Sequence, residues 1–164
     1  MNVQEKYQRL EDTVRQYNPG ANFDLIHAAF VYAEAHHRGQ NRKDGSPFIT
    51  HPLAVAQIVA QELHLDSESI AAALLHDTIE DTDATHEDIA RTFSPTIADI
   101  VEGVSKLTRV QAASKAEEQM ENLRKMLMAM AKDIRVILIK ICDRLHNMRT
   151  MQYKSPKKQR EKAL

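Results

Sequence analysis

His76-Asp77 places an imidazole and a carboxylate side by side at the end of an apolar run, and two further candidate ligands frame the pair. His51 lies upstream and Asp143 downstream. Adjacent residues on a helix sit about 100° apart, so both side chains can lean toward one ion in the seam between helices. With His51 and Asp143 the set becomes two nitrogens and two oxygens. That mixture suits a divalent first-row metal and leaves coordination positions open for water and substrate. His51 alone, next to Thr50 at a helix start, also reads as a surface or capping histidine. Asp143 sits among Ile139, Ile141, Cys142 and Leu145. A buried aspartate there needs Arg144, another basic residue or a metal.

Glu80 lies one helical turn beyond His76, and Asp81 one turn beyond Asp77. A carboxylate just past a metal can hold a water, take its proton and aim it at an electrophile. The alternative is a solvated acidic helix end, Glu80-Asp81-Thr82-Asp83. A polar stripe follows later. Lys140 and Arg144 are one turn apart, as are Asp143 and Asn147, with Thr150 one turn further on. Arg42, Lys43 and Ser46 add basic and hydroxyl groups from a loop. Arg and Lys can neutralise phosphates, and a guanidinium can stack on a base. Asn and Thr can bond a ribose or a nucleobase edge. A solvated basic face is the competing account, and for Lys43 alone the better one. No Gly-rich phosphate loop occurs, which argues against a P-loop nucleotidase. His27, His36, His37, His64, His86 and His146 are expected in surface or structural roles.

The elements that must position these groups read as helical nearly throughout. The four glycines and five prolines sit at breaks. A first helix, Val3 to Tyr17, closes at Asn18-Pro19-Gly20. Asn22 caps a second, to about Arg38. Gly39 to Ile49 is a polar loop. Thr50 caps the next helix, with Pro52 in its first turn. Asp66 caps a central helix from Ser67 to about Ile79, apolar almost all round. Thr85 and Asp88 form a variant capping box for a short helix ending near Phe93. Ser94-Pro95 opens another, to about Leu107. Lys106 to Lys115 lacks an apolar period and is expected to be a mobile connection. A long helix spans about Ala116 to Ala131, and Asp133 caps a last one, Ile134 to about Met151. Its run Ile134 to Ile141 is β-branched enough to suggest strand, but the spacing continues through Asp143, Leu145 and Met148, so its length favours helix. Ser155 to Leu164 starts another helix in which the chain stops, which suggests a fragment.

At 164 residues the chain suits one domain with a real core. A net charge of −1 gives no global field for nucleic acid. Met1 to Leu10 is polar, and no apolar run is long enough to span a bilayer. The single cysteine, Cys142, allows no internal disulfide and fits a reducing cytoplasm.

Three stretches together resemble a known family: Arg42 to Pro52, Leu74 to Thr82 and Val104 to Leu107. So do Asn122 to Met126, Met130 to Lys140 and Asp143 to Thr150. In order and across nearly the whole chain, they resemble the N-terminal hydrolase domain of the RelA/SpoT alarmone enzymes, within the HD metal-phosphohydrolase superfamily. The resemblance implies an all-α helical bundle with a metal site between central helices. It implies hydrolysis of guanosine 3′-diphosphate 5′-di- or triphosphate, with pyrophosphate leaving from the 3′ position. By position, His51, His76, Asp77 and Asp143 match the metal ligands, usually of manganese (Mn2+), and Glu80 and Asp81 match a catalytic acidic pair. Arg42, Lys43, Ser46, Asn147 and Thr150 fall where nucleotide contacts are expected, and Lys140 and Arg144 join them from the polar stripe. Members without the His-Asp pair do not hydrolyse, whereas this chain keeps it. Full-length members usually continue into a C-terminal synthetase domain. The competing functions are an HD phosphohydrolase acting on another nucleotide and a non-catalytic alarmone-binding module.

Overall fold

A computed structural model describes residues 1–110, 120, 121, 123, 124 and 133–151. Among these, the regular elements are helices, and the one β-type contact is an isolated bridge between Asn41 and Pro47. The expected helix from Ala116 to Ala131 lies outside the described residues, apart from Met120, Glu121, Leu123 and Arg124. The tail from Ser155 lies outside them entirely.

Helix α1 (Val3–Tyr17) starts where the Asn2 side chain accepts from the Glu5 amide, and it buries Tyr7, Leu10 and Val14. Asn22 caps α2 (Phe23–His36) by accepting from the Leu25 amide. The loop after α2 turns back on itself. Gly39 and Gly45 take positive φ, which costs a residue without Cβ little. Arg42 N–H donates to the Ser46 carbonyl, and Phe48 N–H to that of Gln40. The Asp44 carboxylate accepts from both the amide and the hydroxyl of Ser46, so its charge is turned into the turn itself.

Helix α3 (Thr50–Leu63) begins one residue earlier than expected. Thr50 is its first helical residue rather than its cap, and its hydroxyl donates to the Pro47 carbonyl. Asp66 caps α4 (Ser67–Leu75) by accepting from the Ser69 amide and hydroxyl. Every residue from Ser69 to Leu75 is buried, because α2, α3 and α7 pack around α4. Each buried Leu or Ile there contributes about 1.5–3 kcal/mol.

The central helix does not run on to Ile79. It stops at Leu75, and a separate turn, α5 (Thr78–Asp81), resumes after His76 and Asp77. The freed carbonyls are not orphaned. The His76 ring donates to the Ala73 carbonyl and the Thr78 hydroxyl to that of Leu75. The capping box of Thr85 and Asp88 starts α6 (His86–Thr92) as expected. Helix α7 (Pro95–Val110) continues past Leu107, so Lys106 to Val110 is helical rather than loop. The rest of that proposed connection lies outside the described residues.

Helix α8 (Ile134–Met151) is helix and not strand, with Val136, Ile139 and Cys142 buried. Asp133 accepts from the Arg135 amide at its start. Helix α8 crosses both α3 and α7, and this crossing brings Asp143 to His51 and Lys140 to Thr108. No helix among the described residues is long and apolar enough to cross a membrane.

Candidate metal centre

Two helices and one helix break deliver the candidate ligand set. His51 comes from the first turn of α3, His76 and Asp77 from the break after α4, and Asp143 from mid-α8. Donor atoms of His51, His76 and Asp143 lie within 4.8 Å of one another, and all three residues are buried. His51 Nε2 is 2.7 Å from Asp143 Oδ1. Asp77 Oδ2 completes the group, 3.1 Å from His76 Nε2 and 3.6 Å from His51 Nε2.

The break explains how neighbours in sequence reach one point. His76 Nδ1 donates to the Ala73 carbonyl at 2.7 Å, which leaves Nε2 unprotonated in the neutral ring and aimed at the carboxylates. That Nε2 is buried and makes no hydrogen bond. Facing Asp77 at 3.1 Å and Asp143 at 3.4 Å, that nitrogen needs either its own proton or a cation. These two imidazoles and two carboxylates fit a divalent cation.

Electrostatics point the same way. Burial opposes charge on His76, but Asp77 and Asp143 outweigh it and hold its proton well above the ordinary histidine range. Burial likewise raises Asp77 and Asp143, yet the two imidazoles hold both carboxyls below their usual range. Burial depresses His51, only partly offset by its hydrogen bond to Asp143. The centre thus demands a positive charge, and a proton on His76 and a bound cation compete for that role.

Surrounding residues fix these candidate ligands. His51 Nδ1 lies 2.7 Å from His146 Nδ1; with a cation on Nε2 in place of its bond to Asp143, Nδ1 would carry the proton and donate it to His146. Lys140 Nζ donates to Asp143 Oδ2 and to the Thr108 hydroxyl, each at 2.9 Å. Asn147 donates to Asp143 Oδ1 at 3.4 Å and accepts from Arg42 at 3.3 Å. The loop and the α8 face therefore already touch.

Glu80 and Asp81 stand just beyond the ligands on α5. The Ser105 hydroxyl of α7 donates to Glu80 Oε1 at 2.9 Å. Burial, with the charges of Asp77 and Glu80, pushes the Asp81 carboxyl up to about 6. The Asp81 backbone carbonyl accepts from Gln40, whose side-chain oxygen pairs with buried His37. His36 stacks on Tyr32 instead, so the His36-His37 pair does not converge.

Beside the cluster lies a cavity of about 450 Å³. Arg42, Ser46, Thr50, His146, Arg149 and Thr150 are among its lining residues. Lys43 is exposed at the turn and Arg144 is exposed on α8, and neither lines the cavity. Lys140 faces the metal cluster and is nearly buried. Sequence reasoning missed His146, Ser105 and Thr108. Only His146 carried a signal, its three-residue spacing from Asp143, which puts both on one face of α8.

A family model described as the HD domain matches residues 29–164. The chain belongs to the HD domain family. This HD domain is 48% identical over 157 residues to the bifunctional (p)ppGpp synthase/hydrolase SpoT of Escherichia coli K12, covering 96% of the chain and 22% of that protein. It is 50% identical over 142 residues to the GTP pyrophosphokinase rsh of Brucella melitensis, covering 87% of the chain and 19% of that protein. The chain thus spans about a fifth of the length of these relatives. A solved metazoan ortholog of SpoT, described as hydrolysing ppGpp, superimposes with a TM-score of 0.62 at 29% identity. That match covers 84% of this chain and 78% of the other. The RelA/SpoT resemblance and the all-α HD-domain bundle both hold.

Proposed function

We propose that this HD domain is a (p)ppGpp 3′-pyrophosphohydrolase, acting on guanosine 3′-diphosphate 5′-di- or triphosphate. The observation that carries the reading is the shared wall between the metal cluster and the cation-lined cavity. His146 bonds His51 on one side and lines the cavity on the other. A nucleotide in the cavity would have its 3′ arm next to the cluster. The similarity to SpoT supports the same substrate.

His51, His76, Asp77 and Asp143 would hold the cation, which on the RelA/SpoT resemblance is Mn2+. When bound, a divalent cation supplies Lewis acidity, neutralising phosphate charge and lowering the pKa of water. The chain's own residues do the rest. Glu80, held by Ser105, aims a water and takes its proton. The water oxygen bonds to the phosphorus at the 3′ oxygen and the P–O3′ bond breaks. Asp81, whose carboxyl titrates near neutrality, supplies a proton to the leaving 3′ oxygen. Pyrophosphate and GDP or GTP result. Arg42, Ser46 and Thr150 contact the nucleotide from the cavity wall, with Asn147 at its edge and Lys43 and Arg144 at its outer approach. Lys140 acts on Asp143 and not on a phosphate, because its ammonium is already shared between Asp143 and Thr108.

The domain works in the cytoplasm, which agrees with its free buried Cys142, and belongs to a longer protein with a C-terminal synthetase region. The test is incubation with the alarmone and manganese, followed by product analysis. Pyrophosphate and GDP are expected. Orthophosphate release, or equal turnover of GTP, would indicate an HD phosphohydrolase of another specificity. Binding without turnover would indicate a regulatory module.

A further inference from the structure

We infer that the far wall of the cavity is a subsite for the 5′-polyphosphate of the nucleotide, built by Lys6 and Arg9 of α1. This rests on the proposed substrate, which carries polyphosphate arms at both the 3′ and 5′ positions of one ribose. If the 3′ arm lies at the metal cluster, the other arm needs its own cationic site.

Helix α1 provides one, with Glu5 of its first turn outside the cavity lining. Glu11 and Asp12 pair with Arg15 toward the C-terminal end. Lys6 and Arg9, three residues apart and so on one face, line the cavity. Neither has a carboxylate within ion-pair distance among the described residues. Arg42 and Arg149 line the same cavity, so four permanent cations share it. The carboxylates in the lining are those of Asp44 and Glu62, and Asp44 is turned onto Ser46. Cations gathered around a concave space repel one another and focus a positive field into it. An anion there relieves that repulsion. The volume lies within the range of small-molecule sites.

The position of α1 is fixed. Tyr7, Leu10 and Val14 anchor it in the core, and Gln57 of α3 donates to Thr13 at 2.9 Å. Arg42, His146, Lys6 and Arg9 line the same cavity, so the cationic wall extends from the metal side to α1. A plain solvated helix face would not need its unpaired cations to share a cavity with two arginines from other elements.

The test compares two ligands on the double variant Lys6→Gln/Arg9→Gln. One is the alarmone with its 5′-diphosphate, and the other is guanosine 3′-diphosphate, which has no 5′ phosphate. The affinity for the alarmone should fall about tenfold or more, the scale of one or two charge-assisted hydrogen bonds. The affinity for guanosine 3′-diphosphate should change less than about twofold on the same scale, and Lys6→Arg with Arg9→Lys should restore most of the loss. Equal effects on both ligands, or none on either, would overturn the subsite. Calorimetry reads both affinities without turnover. If wild type releases no pyrophosphate but the two-ligand difference persists, the hydrolase reading fails and the subsite stands.

Discussion

The metal cluster and the cavity adjoin at His146, yet one is assembled from buried groups and the other from exposed ones. His51, His76 and Asp143 are at most 5% exposed, and each is held by hydrogen-bond partners. The cavity cations Lys6, Arg9 and Arg149 are held by none among the described residues. A dry cluster of ionisable groups tolerates little substitution, because each group removed leaves another unpaired. A wet cationic wall should tolerate single losses, because water replaces what is removed.

The sharpest contrast concerns chemistry against binding. Glu80→Gln should keep metal and alarmone affinity but slow pyrophosphate release about a hundredfold to ten-thousandfold, the usual cost of a positioned acid or base. Calorimetry gives the affinities, and a pyrophosphate assay gives the rate. Wild-type turnover, or a lost metal, would move Glu80 out of the water-handling role.

The next test lies on the shared wall. His146→Ala removes the acceptor that orients His51, and loss of such a partner costs about 10–100-fold in metal affinity. Arg149→Gln, on the cavity side of the same helix, should leave metal affinity within about threefold by the same reasoning. Equal losses would show that the two regions are one electrostatic unit.

How far the sequence revealed each region follows from the same physics. An aspartate inside Ile139 to Leu145 is conspicuous, because buried charge needs an explanation. Hence Asp143 and the His76-Asp77 pair stood out. Caps at Asn22, Asp66, Thr85 and Asp133 were readable because a short polar side chain before an apolar period has a local mechanism. The break at His76 was not, since the apolar pattern of Ile70 to Ile79 continues through it and the bonds that permit it are backbone ones. Ser105, Thr108, Lys6 and Arg9 were invisible for the opposite reason. They are ordinary helix residues whose roles come only from what folds against them.

A pH experiment probes the edge of the dry region. The Asp81 carboxyl is raised from 3.8 to about 6, first by burial and then by Asp77 and Glu80. A carboxyl whose folded value exceeds its unfolded one favours the fold while protonated. Its contribution is full below the unfolded value and is lost as pH rises through the folded one. Without metal, Asp81→Asn should therefore melt above wild type at pH 7.5, with the gap closing toward pH 4. Added manganese should narrow the gap at pH 7.5, since the cation offsets the same charge. A gap independent of both pH and metal would mean that Asp81 is not part of the cluster's field.

The smallest effect tests packing alone. Gly103 of α7 faces Val136 of α8, and an added Cβ would lie 2.8 Å from one valine methyl and 3.2 Å from the other. Val136 cannot easily turn aside, because a β-branched residue in a helix has one strongly preferred rotamer and this one is buried. This crossing brings Lys140 to Thr108, and Lys140 in turn holds Asp143. Gly103→Ala gains up to about 1 kcal/mol in helix propensity and loses about 1–3 kcal/mol to overpacking. The net loss of about 1 kcal/mol should lower Tm by about 2–4 °C. Gln61→Ala, on the cavity wall, should move it less than about 2 °C, as surface changes do. If Gly103→Ala melted at or above wild type, the α7–α8 contact would have slack, and the rigidity assigned to the cluster would have to come from its hydrogen bonds alone.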